Sequence, residues 1–426
     1  MGAKVLGNTG VLYTDRRDFY ISPNVVKELW TDVAPFTTVI SNREVRGGLA
    51  DPQYKMFEHR NPWRKQEFSS ATDIASLAVG DTESAAMDID GITGLSSSAD
   101  SSYLGLECEV WDSAKTTKRG VVLITTVVDA DTIKFKNLGD AAIDVADNDV
   151  FIVVGNAHGE GTSAPEAWAD ELEVVYNQSQ IFKTPVEVTG TLFEAALRGE
   201  SNELSRLRLQ KSQEHKIQKE RAFLMGRSPI NLSAGFADGS ITDADGKYVR
   251  TTMGIIPAIE KHGATSGEDQ NQFTIDKDAY TYSDFVDDME KVFQYVPEAG
   301  SKRAFCGMGA MGYWSKLGGT GTFSGSSGWT VNIGDMKRDK LGFAYRELET
   351  PHGMLELIPT PVLRGPYNEY MLVVSDENLF MAQYRAPKYQ ANIKTDNAYD
   401  GVKDQYMSDE GIGVSLIESH KLFKMT

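Results

Sequence analysis

The clearest hydrophobic periodicity in the chain begins at Thr191. Phe193, Ala196, Leu197, Leu204 and Leu207 recur at helical spacing. Thr191-Leu-Phe-Glu194 has the spacing of a capping box, in which the hydroxyl satisfies a first-turn amide and the carboxylate reaches back to the cap. No proline follows until Pro229, and Gly226 suits a C-terminal cap. The pattern predicts one helix over 191–226, roughly 50 Å long at about 1.5 Å per residue. Its apolar stripe is interrupted from Lys211 to Lys216 and resumes displaced at Ile217 and Leu224, which a heptad would not do. The expectation is a single helix lying across a surface, with much of its second half solvated.

Upstream the period shortens to that of strands. Gly120 to Val128, Asp131 to Lys136 and Asp149 to Val154 are runs rich in β-branched residues, separated by Asp, Asn and Gly, and they predict a small antiparallel β module. Gly91 to Ser102 and His158 to Pro165 read as linkers into and out of it. Arg46 to Ser70 mixes aromatic and basic residues in a ribbon-like pattern, and Val174 to Val188 is again extended, so the two flanks are expected to pair as one long hairpin. Residues 1–45 read as an arm with one short helix in the stretch from Pro23 to Phe36, through Asn24 to Trp30.

Downstream, helix and strand alternate. Phe285, Met289, Val292, Phe293 and Val296 predict a helix over Tyr282 to Val296 with Ser283 as its cap. A strand from Arg303 to Cys306, a helix through Tyr313, Trp314 and Leu317, and a Gly/Ser-rich loop from Gly318 to Gly328 follow. Strand patterns close the chain at Leu341 to Leu348, Gly353 to Pro359, Glu369 to Ser375, Leu379 to Tyr384 and Gly411 to Phe423.

Charge sharpens this picture. The 426 residues carry 61 acidic and 43 basic side chains, a net −18 that argues against a free-standing nucleic-acid binder. Residues 71–176 alone hold −15 of it. The second half of the predicted long helix has the opposite sign: Arg206, Arg208, Lys211, Lys216, Lys219 and Arg221 face only Glu214 and Glu220. Arg208, Lys216 and Lys219 fall within an arc of about 80° at about 100° per residue. Two readings fit, a solvated face with ordinary ion pairs such as Glu194 with Arg198 and Glu203 with Arg206, or a face turned toward a polyanion. On the second reading Arg206, Arg208, Lys211, Lys216 and Lys219 are the candidate DNA-facing residues.

Catalytic patterns do not assemble. Gly307-Met-Gly-Ala-Met-Gly312 has dinucleotide-binding glycine spacing, but a Gly/Ser loop stands where the second strand of the βαβ unit should begin. The six histidines are dispersed, and no nucleophile elbow or phosphate loop is present. Asp243-Ala-Asp-Gly246 lacks the remaining ligands of a calcium loop and reads as a turn. Cys108 and Cys306 form neither a disulfide framework nor a metal knuckle and suit synthesis in a reducing cytosol. No enzyme activity, cofactor or metal is expected. Nothing near Met1 resembles a signal peptide, and no apolar run reaches membrane-spanning length.

The order of these elements resembles the major capsid proteins of tailed bacteriophages, the fold first seen in phage Hong Kong ninety-seven, and within them a subgroup with a β module inserted in the extended loop. Asn177 to Gly190 leading into the long helix and Glu220 to Gly226 ending it carry the likeness, supported by Gly155 to Gly161 and Gly353 to Pro359. The resemblance implies an α+β fold with an N-terminal arm (1–45), an extension loop (46–90 and 157–180) carrying a β-rich insertion (91–156), a peripheral domain (181–264 and 381–426) with a spine helix at 191–226, and an axial domain (265–380). It implies a structural subunit that self-assembles as hexamers and pentamers of an icosahedral or prolate shell around packaged double-stranded DNA. Portal, scaffolding and decoration proteins are the implied partners, and the virion the implied location after synthesis in the host cytoplasm. Some members cross-link their loops through a Lys and an Asn; Lys55 and Lys65 lie in the corresponding region without matching that motif. Some begin with a cleaved scaffold segment; no helical, highly charged segment precedes residue 45, so a separate scaffolding protein is expected. The alternatives are an encapsulin-like compartment that houses enzymes and a dinucleotide-dependent enzyme built on the Gly307 to Gly312 turn.

Overall fold

A computed structural model describes residues 34–59, 67–80, 82–90, 103–129, 132–163, 172–194, 203–229, 241–267, 269–295, 300–320, 334–341, 343–393 and 400–426. The chain divides into two compact units, residues 59–173 and the remainder. Each unit's apolar core is drawn from its own residues. Of the stretch from Pro23 to Phe36 expected to hold a short helix, residues 23–33 lie outside the described residues, and its end falls in the first turn of a helix at Pro35–Arg43. Among those residues, no helix is long and apolar enough to cross a membrane.

The smaller unit begins after α1 (Pro35–Arg43), β1 (Val45–Gly47) and β2 (Gln53–Glu58). It holds β3 (Glu67–Ser70), β4 (Ile74–Leu77), β5 (Met87–Asp90), β6 (Leu106–Trp111), β7 (Lys118–Asp129), β8 (Thr132–Asn137), β9 (Ile143–Val145) and β10 (Val150–Asn156). Six of these strands close an antiparallel barrel in the order β10-β3-β5-β8-β7-β6, with β10 returning to β6. Alternate residues fill the interior. Phe151 stacks on Phe68 at 5.0 Å and meets Phe135 edge-on at 5.6 Å, with Val110, Val122 and Ile133 buried beside them. The barrel takes β3 and β5 from residues that the sequence pattern places in the flanking loop. Both strands are four residues long, too short to show alternation, yet without them β10 and β8 would be open edges.

The larger unit continues with β11 (Glu173–Gln178), β12 (Gln180–Thr189), α2 (Gly190–Glu194), α3 (Glu203–Met225), α4 (Ile255–His262), β13 (Gln272–Ile275), α5 (Tyr282–Phe293), β14 (Ser301–Cys306) and α6 (Met308–Thr320). It ends with β15 (Lys337–Arg338), β16 (Ala344–Thr350), β17 (Gly353–Pro359), β18 (Tyr370–Val374), β19 (Leu379–Gln390), β20 (Gly401–Val414) and β21 (Lys421–Met425). A mixed sheet runs β13-β21-β18-β14-β17-β16-β15. Its central strands are buried on both faces, and their residues divide by parity. Ala304, Cys306, Leu355, Leu357, Met371, Val373 and Phe423 join α5 and α6 in one core. Phe305, Ile358, Leu372, Val374 and Leu422 join α4 and the end of α3 in the other. Helix α5 is capped by Thr281 and not by Ser283, because Thr281 and Asp284 satisfy each other's backbone amides in a capping box.

The second sheet has the order β1-β19-β20-β12. Here the expected long hairpin divides: β2 pairs with β11, while β12 pairs with β20 over ten consecutive residues, Gln180 opposite Glu410 through Thr189 opposite Gly401. The strand pattern read over Gly411 to Phe423 is also two strands. Leu416 adopts a left-handed conformation (φ 47°) between β20 and β21, and its N–H is taken at 2.8 Å by the buried carboxylate of Glu58. Helix α2 starts at Gly190, one residue before the expected cap of the long helix, and α3 covers the later part of the expected 191–226 span. The Thr189 hydroxyl accepts the Leu192 N–H at 3.4 Å. Residues 195–202 lie outside the described set, as do the expected pairs Glu194 with Arg198 and Glu203 with Arg206.

Because neither core borrows from the other unit, replacing residues 59–173 by a short Gly/Ser bridge should leave the larger unit cooperatively folded. Circular dichroism melting of the shortened chain checks this, and loss of a cooperative transition would contradict the division.

Candidate functional site

Helix α3 carries the five candidate residues, and its environment decides what each can do. In β20 the even positions Asp404, Tyr406, Ser408 and Glu410 lie on the side that meets α3, while Asp409 on the other side is held by Arg250 and Arg385, each at 3.1 Å. Asp404, Ser408 and Glu410 are fully buried. A carboxylate in that position must be met by a cation or by several donors.

The cations come from one face of α3. Arg208 donates from Nε and Nη2 to Asp404 Oδ2 at 2.9 and 2.6 Å. Tyr389 also donates to Asp404, and the Asn392 N–H completes the cluster at 2.7 Å. Burial pushes the Asp404 carboxyl up, but Tyr389, Asn392 and Arg208 together hold it below its ordinary value. Lys219 Nζ donates to Glu410 Oε2 at 2.8 Å, and Gln383 covers Oε1 at 3.0 Å. Between them the His215 ring bridges Thr184 Oγ1 and Ser408 Oγ, each at 3.0 Å. Positions 208, 215 and 219 lie within about 40° on a helix turning about 100° per residue.

A second buried acid faces the N-terminal side of this unit. Glu220 accepts the Phe36 N–H at 3.0 Å and the Thr37 N–H at 2.6 Å, together with the Thr37 hydroxyl. These are the orphan donors of the first turn of α1, whose own N-cap, Ala34, has no side-chain oxygen to offer. Helix α1 is rich in β-branched residues, Thr37, Thr38, Val39 and Ile40, so sequence pattern assigns it to the arm. Packing and Glu220 make it a helix. Burial pushes the Glu220 carboxyl up to about 7 against these three hydrogen bonds.

The five candidates therefore separate. Arg208 and Lys219, expected to face a polyanion, point into the sheet and are neutralised there. Lys216 is exposed, Arg206 is half-exposed, and Lys211 is half-exposed and pairs with Glu214 at 2.7 Å. The expected arc of Arg208, Lys216 and Lys219 is split because the sheet supplies buried acids on one side of it. The residues that hydrophobic patterning misses are Thr184, Asp404, Ser408 and Glu410. Their signal is a polar row at period two, matched by Arg208, His215 and Lys219 at helical spacing.

The other constellations are structural. Gly309 donates its N–H to Asn368 Oδ1 at 3.2 Å, and the Glu369 carboxylate lies against the glycine where a phosphate would have to approach. The Asp243 carboxylate accepts the Asp245 and Lys247 N–H groups across a turn in which Gly246 has φ 74°. Cys108 and Cys306 are buried, the former thiol pushed up to about 12 by its surroundings, which leaves both unreactive.

Lys219→Ala, which strands Glu410, should cost about 3–5 kcal/mol, whereas Lys216→Ala should stay within about 0.5 kcal/mol. Urea unfolding of the unassembled chain measures both, and equal effects would contradict the buried pairing. Glu220 predicts a pH dependence of definite sign. Between its ordinary 4.5 and about 7 the folded chain holds a proton that the unfolded chain releases. The site's contribution therefore falls as pH rises through that window, and Glu220→Gln should flatten the slope of stability against pH there.

The family model described as SU10 major capsid protein matches residues 28–409. Among solved structures, the capsid of a native GTA particle shows 9% identity over 97% of this chain and 96% of that chain, with a TM-score of 0.43. A structure from Microbacterium phage Oxtober96 shows 10% identity over 97% and 98%, with a TM-score of 0.42. The holo-SrpI encapsulin complex from Synechococcus elongatus shows 8% identity over 59% and 77%, with a TM-score of 0.39. No characterised protein sequence matches the chain. Likenesses this remote carry no functional argument, and the family match stands alone.

Proposed function

The chain belongs to the SU10 major capsid protein family, and from that premise we propose how its parts serve the shell. It is a structural protein of the virion, a major capsid subunit of an icosahedral phage head, and not an enzyme. Its fold is mixed α+β and its assembly is a homo-oligomeric shell. The match across residues 28–409 is the observation that carries this reading.

In the proposed division of labour, α2 and α3 form the spine helix of a peripheral domain with the β1-β19-β20-β12 sheet. The seven-stranded sheet with α5 and α6 is the axial domain that meets its copies at five-fold and six-fold centres. Strands β2 and β11 belong to the extension loop, with the acidic barrel of residues 67–156 as its inserted module. Hexamers and pentamers are the capsomers, and scaffolding, portal and decoration proteins are the partners. Extended elements that wrap neighbours make sense in such a shell, where individually modest contacts add through multivalency.

The parts of α3 that the sheet does not cover are the proposed DNA-facing surface, now limited to Arg206, Lys211 and Lys216. Arg208 and Lys219 are left out because the carboxylates they hold, Asp404 and Glu410, are buried and depend on them, whereas Glu214, the partner of Lys211, is itself partly exposed. Binding of this kind is sequence-independent and set by the phosphates.

Electron microscopy of the purified chain, alone and with its scaffold, should show shells or capsomers. A monodisperse monomer under all conditions would overturn the reading. Reversing Arg206, Lys211 and Lys216 to Glu should reduce packaged DNA while shells still form. The same change should flatten the salt dependence of DNA binding, by about one unit for each phosphate that the helix no longer neutralises. Unchanged packaging and an unchanged slope would remove this face from contact with the genome.

A further inference from the structure

Among the described residues, His215 is the titratable side chain of α3 that hydrogen-bonds to both strands beneath the helix. It is buried, with Nδ1 3.0 Å from Thr184 Oγ1 on β12 and Nε2 3.0 Å from Ser408 Oγ on β20. The direction of its hydrogen bonds follows from its neighbours. The Thr184 hydroxyl donates its hydrogen to Gln218 Oε1 at 3.2 Å, so its oxygen is left to accept from Nδ1–H. Nε2 then presents its lone pair to the Ser408 hydroxyl. Hydrogens run one way along the row, from Ser408 to His215 to Thr184 to Gln218. That order requires a ring with one N–H and one lone pair, which is the neutral imidazole.

We propose that His215 is an acid-sensitive latch between α3 and the β12–β20 pair, and that proton uptake by its ring loosens α3 from the sheet while leaving α1 joined to α3. A protonated ring has two N–H groups and no acceptor. Ser408 must then turn its hydrogen away, and it is fully buried, so water cannot take that hydrogen.

The charges around the ring oppose a second proton. On α3 the Lys219 ammonium opposes it, Lys211, one turn away on the same side of the helix, is paired with Glu214, and Arg208 is paired with Asp404 of β20. From β20 comes the Glu410 carboxylate, already engaged by Lys219 and Gln383, and the ring of Tyr406 at 6.3 Å. From β12 come only Thr184 and the Phe182 ring, at 6.3 Å. Burial and Lys219 hold the His215 ring below its ordinary value against the pull of Glu410.

The sign is then fixed. The folded chain binds fewer protons at this site than the unfolded chain, so the seam is at full strength above about pH 6.5 and weakens as pH falls below it. Glu220 acts the other way, since protonation relieves a buried charge at the α1 contact. Acid therefore separates the two contacts of one helix. The latch lies within a single chain and does not rest on the shell reading.

Hydrogen exchange of the full-length, unassembled chain tests this, comparing amides of α3 and α1 near neutral pH and again about one unit below the ordinary histidine value, with intrinsic rates corrected. In the native chain α3 should lose protection by about threefold to tenfold while α1 holds its own. H215Q, which still bridges but cannot gain charge, should abolish the difference. Equal α3 protection at both pH values, or an equal loss in H215Q, overturns the latch. Should H215Q fail to fold, NMR titration of the His215 ring in the native chain decides. A midpoint below the ordinary value, with matching changes at Thr184 and Ser408, supports the latch, and a midpoint at or above that value overturns it.

Discussion

Burying Asp404 and Glu410 in the middle of a sheet imposes a condition on everything around them. Each carboxylate needs a cation from outside the sheet, and α3 is the element placed to bring both. Arg208 and Lys219 are eleven residues apart on the helix, about 16 Å at 1.5 Å per residue. Asp404 and Glu410 are six apart on the strand, about 20 Å at 3.3 Å per residue. The two spacings nearly agree, so long side chains close the gap at both ends at once. An apolar contact would tolerate a helix shifted by a turn. A pair of buried charges does not, because any other register leaves at least one carboxylate unpaired, and such a break costs far more than the intact pair contributes.

The same condition organises the neighbouring elements. β12 is held against β20 by ten paired residues, and its Thr184 joins the row that His215 bridges. With the register of α3 set, Glu220 is delivered to the first turn of α1, and Phe223 and Leu224 are delivered to the core shared with α4. A subunit of a shell works through surfaces that meet other copies, and their spacing is only as good as the internal register behind them. The barrel unit has a core of its own and can differ in sequence and charge without disturbing that register.

Periodicity made α5, α6 and the central strands of the seven-stranded sheet legible, because their buried faces are largely apolar. Phe285, Met289, Val292 and Phe293 mark α5, and Gly353 to Pro359 is a strand at those very bounds. The same reasoning failed at β20, where the inward positions are Asp404, Ser408 and Glu410, and at α1, where β-branched residues hide a helix capped by a distant glutamate. It also failed at β3 and β5, which are too short to show a period.

What the sequence alone determined is the order and kind of the strongly amphipathic elements, the concentration of acid in residues 71–176, and through that order the likeness to phage capsid proteins. Those are local properties, readable wherever burial is paid for by apolar side chains. Which of five cations on one helix faces water, which strand β12 joins, and which short strands close the barrel were decided only in three dimensions. The physical reason is common to all three. A charge becomes internal or external, and an edge open or closed, according to a partner far away along the chain, such as Asp404 for Arg208 or Glu220 for Thr37, and no period along the chain encodes that partner.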